Sequence, residues 1–478
     1  MQDELVRALK KRMADYLEVR LEETSSTRII YQGKTIDEVS QSVRHGGNVR
    51  ALVHGSWGFV SFNEPPLARQ RGAGRKEGEA GLSWYRDGLP WLEDKVSLAV
   101  TQASLATGEA SLAPTEAVVA APAGRGETRP QMAMSRKMEV LREYYDIILS
   151  TPKIQAASIV YQDSLRRVTL ITSEGSYIEQ VKPDLSFRLT AIARDGDQVQ
   201  QVGLSWGSPG DFSAIEGRSR EVKEAAQRAV KLISAPHIKI GEHTVILDPV
   251  LAGVFVHEAF GHLSEADHVY QNDKLRELMT LGKRFGSPKL NIVDDATIPG
   301  LRASYHYDEE GVPAGKNHLI REGILVGRLH SRETAARMAE KPTGNSRAIS
   351  YLYPPIVRMT NTLIERGDVS WEDMVSEVKE GVYVKGWYGG VTGLEMFTFS
   401  AGEAYMIRNG RLEEMLRPVV LSGNVFVTLN NIDAIGNDFG LNQGGGCGKG
   451  EQSPLPVTNG SPHIRITRCL VGGRQGGH

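Results

Sequence analysis

Cysteine is scarce in this chain, which has 478 residues but only two cysteines, Cys447 and Cys469. Two thiols are too few for a disulfide framework, so each is expected to be a reduced thiol that packs in a core or binds a metal. Neither sign of charge is in excess, because 56 basic and 58 acidic residues give a formal net charge of -2. Since nucleic-acid binding usually leaves a basic excess or patch, no nucleic-acid partner is expected.

Long apolar runs are missing as well. No run approaches the ~20 apolar residues that a membrane span needs. The N-terminal segment MQDELVRALKKRM carries charge throughout and lacks the apolar core of a signal peptide. The sequence therefore predicts a cytoplasmic protein without membrane association.

The chain is longer than a single hydrophobic core usually supports, so we expect two or three domains. The boundary is predicted near residue 238, between a long charged helix and the strand 244–247. An α+β fold is expected, in which residues 1–238 form a scaffold domain of helices packed on an antiparallel sheet, which the family resemblance described below also makes the dimerisation domain. Residues 239–478 are predicted to form a strand-rich domain that carries the helix with the motif described below.

Apolar periodicity predicts the elements of the two domains. In the first domain we expect helices at 3–14, 92–100, 140–149 and 218–233, and strands at 17–22, 27–31, 50–53, 156–161, 167–172 and 187–193. In the second domain we expect helices near 250–266, 331–339 and 371–379. Residues 64–88 and 101–131 are rich in Gly, Pro and small or polar residues, so we predict mobile surface insertions there.

The segment H-E-A-F-G-H at residues 257–262 lies on the helix that Asp248 is predicted to cap and Pro249 to begin. The familiar H-E-x-x-H motif separates its histidines by four residues, so that both reach one zinc ion. Here the separation is five, which on an ideal helix turns the two imidazoles about 140° apart. A single π-bulge would absorb the extra residue.

Gly261, directly before His262, makes such a distortion less costly because it has no Cβ. An alternative is that His257 and His262 are unrelated side chains on a half-buried helix, with Glu258 on its solvent-exposed side. The rest of the helix is apolar, so the polar group at its C-terminal half needs a partner, and a cation would supply one.

A catalytic zinc needs a third protein ligand. The candidates are Cys447, His268, Glu265 and Asp267. The spacing from His262 to His268 resembles the metzincin pattern, but that pattern has a glycine where this chain has Glu265. His268 is therefore a weak candidate for the third ligand. A thiolate in a glycine-rich segment is a plausible donor, and the alternative is a buried structural thiol.

The glycine-rich segment around Cys447 is not a phosphate-binding loop. Position 443 is Gln, and Gly450 stands where the P-loop places the Ser or Thr that binds magnesium. Cys469 follows an alternating strand and is expected to pack as a small hydrophobe.

The motif helix, together with five further segments in the same order, resembles the TldD side of the TldD/PmbA metallopeptidases. The resemblance covers residues 239–478 and, more loosely, the start of the chain, whereas residues 64–131 depart from it. The five segments are Val293-Asp294-Asp295, Asp308-Glu309-Glu310-Gly311-Val312-Pro313, Pro342-Thr343-Gly344-Asn345, Arg358-Met359-Thr360-Asn361-Thr362 and Gly446-Cys447-Gly448-Lys449.

The resemblance implies one zinc ion held by His257, His262 and Cys447, with Glu258 as general base, in a cytoplasmic peptidase. It implies unfolded or short peptides as substrates and a site that opens into an internal cavity. It also implies a dimer, formed either by two copies or with a related subunit that lacks the histidine motif.

The expected reaction is hydrolysis of a peptide bond, in which zinc polarises the carbonyl and acidifies water while Glu258 takes the proton of that water. Tyr351, Arg358 and His306 lie near the matched segments and are predicted substrate-binding side chains. Extended peptides are expected to bind mainly through backbone hydrogen bonds.

Two other functions stay open: a non-catalytic, peptide-binding partner subunit with a structural zinc, and a zinc hydrolase of amides other than peptides. The acidic groups at residues 294–295 and 308–310 are expected to be solvated loop residues and not a second metal site.

Overall fold

The fold is taken from a computed structural model, which describes residues 14–33, 35–63, 89–120, 132–393 and 395–473. The helix predicted at 3–14 and the insertion predicted at 64–88 therefore fall almost wholly outside the described residues. The described chain is mixed α/β and rich in strands, which agrees with the predicted fold class at that level. None of the described helices is long and apolar enough to span a membrane.

Within the described residues, seven strands form the N-terminal sheet, in the order β3-β2-β1-β5-β6, with β7 and β4 both paired to β6. All pairs are antiparallel except β4 with β6. The runs predicted at 17–22 and 27–31 belong to one continuous strand, as do those at 156–161 and 167–172. The strands are β1 (Tyr16–Gly33), β2 (Thr35–Val53), β3 (Ser56–Asn63), β4 (Val119–Ala120), β5 (Ile154–Thr172), β6 (Tyr177–Asp195) and β7 (Gln198–Ser208).

In the part of the chain that the structure describes, three α-helices pack on this sheet: α1 (Leu89–Ser104), α2 (Met134–Leu149) and α3 (Ser219–Leu232). Helices α2 and α3 share one apolar core with β5 and β6, in which Tyr144 packs edge-on against Phe187. Helix α1 lies so close to β3 that a Cβ on Gly58 would meet the carbonyl oxygen of Ala99 at 1.9 Å. Glycine at position 58 is therefore required by the helix above it.

Residues 105–120, part of the insertion predicted at 101–131, are mostly exposed but are anchored to the fold. The amide of Ala113 donates to the carbonyl of Arg332 (3.0 Å), and β4 adds a parallel strand to β6. Residues 101–104 complete α1, and residues 121–131 lie outside the described part of the chain.

The C-terminal half contains a sheet that closes on itself. Strands β15-β8-β24-β18-β16 follow one another, and pairing of β15 with β16 completes a five-stranded barrel, to which β17 and β19 are added. The strands of this sheet are β8 (Gly241–Leu247), β15 (Glu380–Gly393), β16 (Met396–Arg408), β17 (Arg411–Leu416), β18 (Val419–Asn424), β19 (Ile432–Ile435) and β24 (Ile464–Gly473).

A six-stranded sheet and two short hairpins complete this half of the chain. The sheet has the order β11-β10-β9-β14-β23-β20, and the hairpins are β12-β13 and β21-β22. The strands are β9 (Ile292–Asp295), β10 (Lys316–Arg321), β11 (Ile324–Leu325), β12 (Ser346–Arg347), β13 (Ile356–Val357), β14 (Asn361–Ile364), β20 (Gly440–Asn442), β21 (Gly446–Lys449), β22 (Gln452–Pro456) and β23 (Thr458–Ser461).

The motif helix begins as the sequence predicts. The carboxylate of Asp248 accepts a hydrogen bond from the amide of Leu251 (2.9 Å), and Pro249 occupies the first helical position. Residues 251–256 are all apolar and buried, and Phe255 packs edge-on against Phe397 and Phe399 of β16. The helices of this half are α4 (Pro249–Val256), α5 (Ala266–Gln271), α6 (Asp273–Leu278), α7 (Arg332–Met338), α8 (Trp371–Ser376) and α9 (Val425–Asn430).

Both acidic groups, residues 294–295 and 308–310, are buried, so the expectation of solvated loop residues is wrong for both. Glu309 pairs with Arg20 of β1 (3.4 Å), and Glu310 pairs with Arg50 of β2 (3.4 Å). Asp308 accepts hydrogen bonds from three backbone amides of its own neighbourhood. Glu309 and Glu310 tie the N-terminal sheet to the second half of the chain, and burial of all three carboxylates is tolerated because each has cationic or amide partners.

Candidate metal centre

Residues His257–Gly261 form one turn of π-helix at the end of α4. The amide of His262 donates to the carbonyl of His257, which is the i to i+5 bond of a π-turn. The two imidazole centroids lie 5.2 Å apart. The bulge predicted from the five-residue spacing is therefore confirmed.

Gly261 has ordinary helical dihedral angles, so conformational freedom is not the reason for glycine at this position. A Cβ at Gly261 would meet the sulfur of Met359 at 2.1 Å. Close packing of the π-turn against Met359, which is fully buried, explains the glycine.

Cys447 reaches the histidines from the β21-β22 hairpin, where it pairs with Leu455. Its sulfur lies 3.4 Å from Nε2 of His262. The ligand atoms of His257, His262 and Cys447 all lie within 4.8 Å of one another, and among the described residues no other group of His, Cys or acidic side chains is arranged in this way.

The cluster is largely buried, and its two histidines favour the ionised form of the Cys447 thiol. Burial alone would raise the pKa of Cys447, but His257 and His262 outweigh it and lower the pKa to about 4. His257 is 2% exposed, and its Nδ1 is buried without a hydrogen-bond partner among the described residues. Cys469 is a contrast, because burial without such partners raises its pKa to about 12.

Glu265 orients His262 from behind. Its carboxylate lies 3.1 Å from Nδ1 of His262 and 3.1 Å from the ammonium of Lys449. Burial would raise the pKa of Glu265, but Lys449 and His262 together lower it. Lys449 also contacts both oxygens of Asp267, at 2.7 and 2.8 Å.

Three of the four candidates for a third ligand therefore lie outside the cluster, which contains Cys447 and not His268, Glu265 or Asp267. Sequence reasoning missed Lys449. The available signal was its position two residues after Cys447, which in a strand places both side chains on the same face.

Glu258 is the residue of the π-turn that is partly exposed to solvent. Its side chain is 28% exposed, and its Oε2 lies 3.9 Å from Nε2 of His262. A partly exposed carboxylate is thus placed beside the donor nitrogen of His262.

The three side chains predicted to bind substrate lie in different surroundings. Arg358 is fully buried and donates to the carbonyl of Cys447 (2.7 Å). Tyr351 is 5% exposed and donates to the side chain of Asn63 (2.8 Å). His306 is exposed and lines the large cavity described next.

A cavity of about 1540 Å³ lies between the N-terminal sheet and the loops of the second half. Side chains of β1, β2, β5 and β6 line one wall, and residues 296–307 line another. Leu455, the strand partner of Cys447, also lines it. The cavity therefore reaches the hairpin that carries Cys447.

Comparison with known proteins gives matches along the whole chain. Models for the PmbA/TldA metallopeptidases match as domain 1 at residues 17–67, as the central domain at residues 129–233 and as the C-terminal domain at residues 240–473. A metalloprotease of Synechocystis sp. is 44% identical over 461 residues, which is 96% of this chain and 95% of that protein. A zinc metalloprotease TldD homolog of Saccharolobus solfataricus is 35% identical over 325 residues, which is 67% of this chain and 72% of that protein.

Solved structures share the fold. TldE from Thermococcus kodakarensis superposes with a TM-score of 0.74 at 17% identity, covering 98% of this chain and 99% of that one. A putative modulator of DNA gyrase from Thermotoga maritima gives a TM-score of 0.75 at 17% identity, with the same coverage. With three family domains matched in order and near-complete relatives above 30% identity, this chain belongs to the TldD/PmbA metallopeptidase family.

Proposed function

We propose that this chain is a zinc-dependent peptidase, in which His257, His262 and Cys447 hold one zinc ion and Glu258 is the general base. The observation that carries the proposal is the convergence of these three donor atoms within 4.8 Å beside a partly exposed carboxylate. Catalytic zinc has three protein ligands and one position left for water or substrate, and two imidazoles with a thiolate supply that number of ligands.

The side chains present fit a zinc ion. Donor atoms around tetrahedral zinc stand about 3.5 Å apart, close to the 3.4 Å between Cys447 and His262. The pKa of Cys447, about 4, makes its thiol a ready anionic ligand. The unpartnered Nδ1 of His257 marks a buried polar group for which the described protein supplies no partner.

Bound zinc would supply a Lewis acid that polarises the scissile carbonyl and acidifies water. Glu258 would accept a proton from the attacking water and pass it to the leaving amine. The exposed part of Glu258 would reach both the water and the leaving amine. Glu265 is buried and paired with Lys449, so it is a poorer candidate for the general base.

Glu265 and Lys449 would act as positioning residues for the metal ligands. A carboxylate on the distal nitrogen of a ligating histidine fixes its tautomer and its ring orientation. Lys449 holds that carboxylate in its ionised form, and the carbonyl of Val357 accepts a further hydrogen bond from Lys449 (2.9 Å). The ligand His262 and the ligand-bearing hairpin are thereby linked.

Unfolded or short peptides are the proposed substrates. The cavity is large and is lined mostly by one face of the N-terminal sheet and by loops, and an extended peptide would bind there through its backbone. His306 is the predicted substrate-binding residue with direct access to that space. Arg358 and Tyr351 are buried, so a substrate role for them requires a change of conformation.

Two further assignments follow from the family. The protein is proposed to work in the cytoplasm, and to assemble either with a second copy or with a related subunit without the histidine motif. A non-catalytic peptide-binding subunit with structural zinc is the main alternative. In such a subunit Glu258 would have no catalytic role. Hydrolysis of non-peptide amides is the other alternative, and substrate profiling separates it from the proposal.

The ligand set is tested by the zinc content of purified variants, measured by elemental mass spectrometry. We expect Cys447→Ala, His257→Ala and His262→Ala to lose zinc. Cys469→Ala is the matched control, a buried thiol outside the cluster, and should retain one zinc ion per chain. Full zinc content in any of the three ligand variants contradicts that ligand's assignment.

The base is tested with Glu258→Gln and fluorescently labelled casein as an unfolded substrate. Zinc content should persist while cleavage falls by at least about 100-fold, which is the usual contribution of a general base. Glu372→Gln, at an exposed position of α8, should cleave as the unaltered protein does. Unchanged cleavage by Glu258→Gln would favour a non-catalytic role or another base.

A further inference from the structure

The loop that leads to Cys447 packs directly on the N-terminal sheet. A Cβ on Gly207 of β7 would meet the carbonyl oxygen of Gln443 at 2.1 Å, and a Cβ on Gly444 would meet the carbonyl carbon of Ser205 at 2.5 Å. Neither glycine has a positive φ, so close contact of the two backbones explains both of them, and conformational freedom does not. The segment immediately before the β21-β22 hairpin is therefore docked on the other half of the chain.

One arginine holds this loop by its backbone. Nη1 of Arg302 donates to the carbonyl of Gln443 (3.0 Å) and to the carbonyl of Gly445 (2.6 Å). The backbone amide of Arg302 also donates to the side-chain oxygen of Gln443 (2.9 Å). The side chain of Arg302 is 6% exposed, so these hydrogen bonds are largely shielded from solvent. Three hydrogen bonds thus connect one residue to the loop before Cys447.

The N-terminal sheet fixes the orientation of that guanidinium. Asp184 of β6 accepts a hydrogen bond from Nε of Arg302 at Oδ1 (2.5 Å) and another from Nη2 at Oδ2 (2.9 Å). A bidentate pair of this kind fixes the plane of a guanidinium as well as its position. With Nε and Nη2 bound to Asp184, Nη1 points at the loop carbonyls. The N-terminal half supplies none of the three donor atoms of the metal cluster, but it reaches the segment that carries one of them.

Given the zinc site proposed above, we infer that Arg302 is a positioning residue for the thiolate of Cys447 and that Asp184 acts through Arg302. Gly445 lies two residues before Cys447, so a shift of the loop is passed to the thiol through a short stretch of backbone. The sulfur has little latitude, because it lies 3.4 Å from Nε2 of His262 and must also come within about 2.3 Å of the zinc ion.

The two histidine ligands are supported elsewhere. They lie on the π-turn, which packs against Met359 and follows a helix buried against β16. Loss of the Arg302 guanidinium should therefore displace the thiolate while the imidazoles stay in place. This selective effect separates a positioning role from a general loss of stability.

Cobalt(II) in place of zinc tests this selectivity in the full chain. A thiolate bound to cobalt gives a charge-transfer absorption band in the near ultraviolet, and Cys447→Ala supplies the spectrum without that ligand. We expect Arg302→Met to lose most of the band. It should also bind zinc about 10- to 100-fold more weakly, the usual effect of changing a group that supports a metal ligand. Competition with a zinc-binding dye measures the affinity.

Asp184→Asn is a milder variant, because it removes the charge and keeps the shape of the side chain. It should lower the zinc affinity and the cobalt–thiolate band in the same direction, and it decides the question if Arg302→Met does not fold. The double variant should bind zinc no more weakly than Arg302→Met alone, since Asp184 acts through the arginine. Additive losses of affinity would overturn the assignment of Asp184.

Glu309→Gln is the matched control for a purely structural role. Glu309 also links the N-terminal sheet to the second half of the chain, but its ion pairs with Arg20 (3.4 Å) and Lys182 (3.0 Å) join it to β1 and β6 and not to the loop before Cys447. This variant should be less stable and yet keep the band and the zinc affinity of the unaltered chain. Equal losses in Glu309→Gln and Arg302→Met would overturn the inference.

The unaltered chain and Cys447→Ala separate failure of this inference from failure of the zinc site. If the unaltered chain shows the band, and Arg302→Met and Asp184→Asn both keep it with unchanged zinc affinity, the positioning role is wrong while the zinc site stands. If the unaltered chain shows no such band, or Cys447→Ala retains it, the proposed ligand set is wrong and the positioning role is overturned with it.

Discussion

The guanidinium of Arg358, which is fully buried, donates a hydrogen bond of 2.7 Å to the backbone carbonyl of Cys447. Its other terminal nitrogen donates to the carbonyl of Gln452 on the opposite strand of the hairpin (3.2 Å). One side chain thus holds both strands of the hairpin that brings the thiol to the two histidines. The position of Cys447 relative to the two histidines therefore depends on this contact.

Replacing that guanidinium should therefore weaken the metal centre. We expect Arg358→Met to lower the free energy of unfolding by about 2–4 kcal/mol, because two buried carbonyls lose a charged donor. Zinc should also be lost at lower chelator concentrations. Denaturant titration and chelator competition measure the two effects. Arg366→Met, at an exposed position, is the control, and equal behaviour of the two variants would contradict the proposed support of the hairpin.

Removing the negative charge behind His262 should reduce metal affinity without removing a ligand. Glu265→Gln is expected to weaken zinc binding by about 10- to 100-fold, the usual effect of changing a group that orients a ligating histidine. Competition with a zinc-binding dye measures this. Glu277→Gln, at an exposed position of α6, should bind zinc normally, and an unchanged affinity in Glu265→Gln would show that the carboxylate does not orient the ligand.

The space beside the π-turn can be tested by a pair of substitutions. Gly261→Ala should destabilise the protein by about 1–3 kcal/mol, because the new Cβ would overlap the sulfur of Met359. Met359→Ala should also destabilise it, by leaving a cavity. The double variant should be more stable than the sum of the two effects predicts, since the smaller side chain makes room. If denaturant titrations show that the two destabilisations simply add, the side chain of Met359 is not what requires glycine at position 261.

The link between the two halves of the chain should be sensitive to acid. Burial alone would raise the pKa of Glu309, but Arg20, Lys182 and Arg166 outweigh it and lower the pKa to about 2, from an ordinary value of 4.5. Because the folded pKa is depressed, this stabilisation is present above pH 4.5 and is lost as the pH falls toward 2. The depression corresponds to about 3 kcal/mol at neutral pH.

Glu309→Gln should accordingly be less stable than the unaltered chain at pH 7, and the difference should shrink as the pH is lowered from 4.5 toward 3. Denaturant titrations at several pH values give this difference directly. Glu372→Gln should show no such pH dependence. A constant difference between Glu309→Gln and the unaltered chain across this range would show that Glu309 does not carry the linkage.

Local features of the chain were predictable because local chemistry determines them. The cap at Asp248, the proline at position 249 and the π-turn all follow from residues within one short segment. Strand lengths were less predictable. The runs at 17–22 and 27–31 are joined in β1, because pairing with β2 and β5 on both sides keeps the polar residues between them extended.

The amino-acid sequence by itself determined the motif helix, its distortion and the types of side chain that are able to bind a metal. It left the third ligand among four candidates, and the resemblance to a family favoured Cys447. Tertiary structure decided that Cys447, 185 residues beyond His262, meets the histidines while Glu265 stands behind one of them. It also decided that residues 308–310 are buried, because their partners Arg20 and Arg50 lie on strands far away in the chain. Contacts between distant segments depend on how sheets and hairpins pack, and no local pattern encodes that.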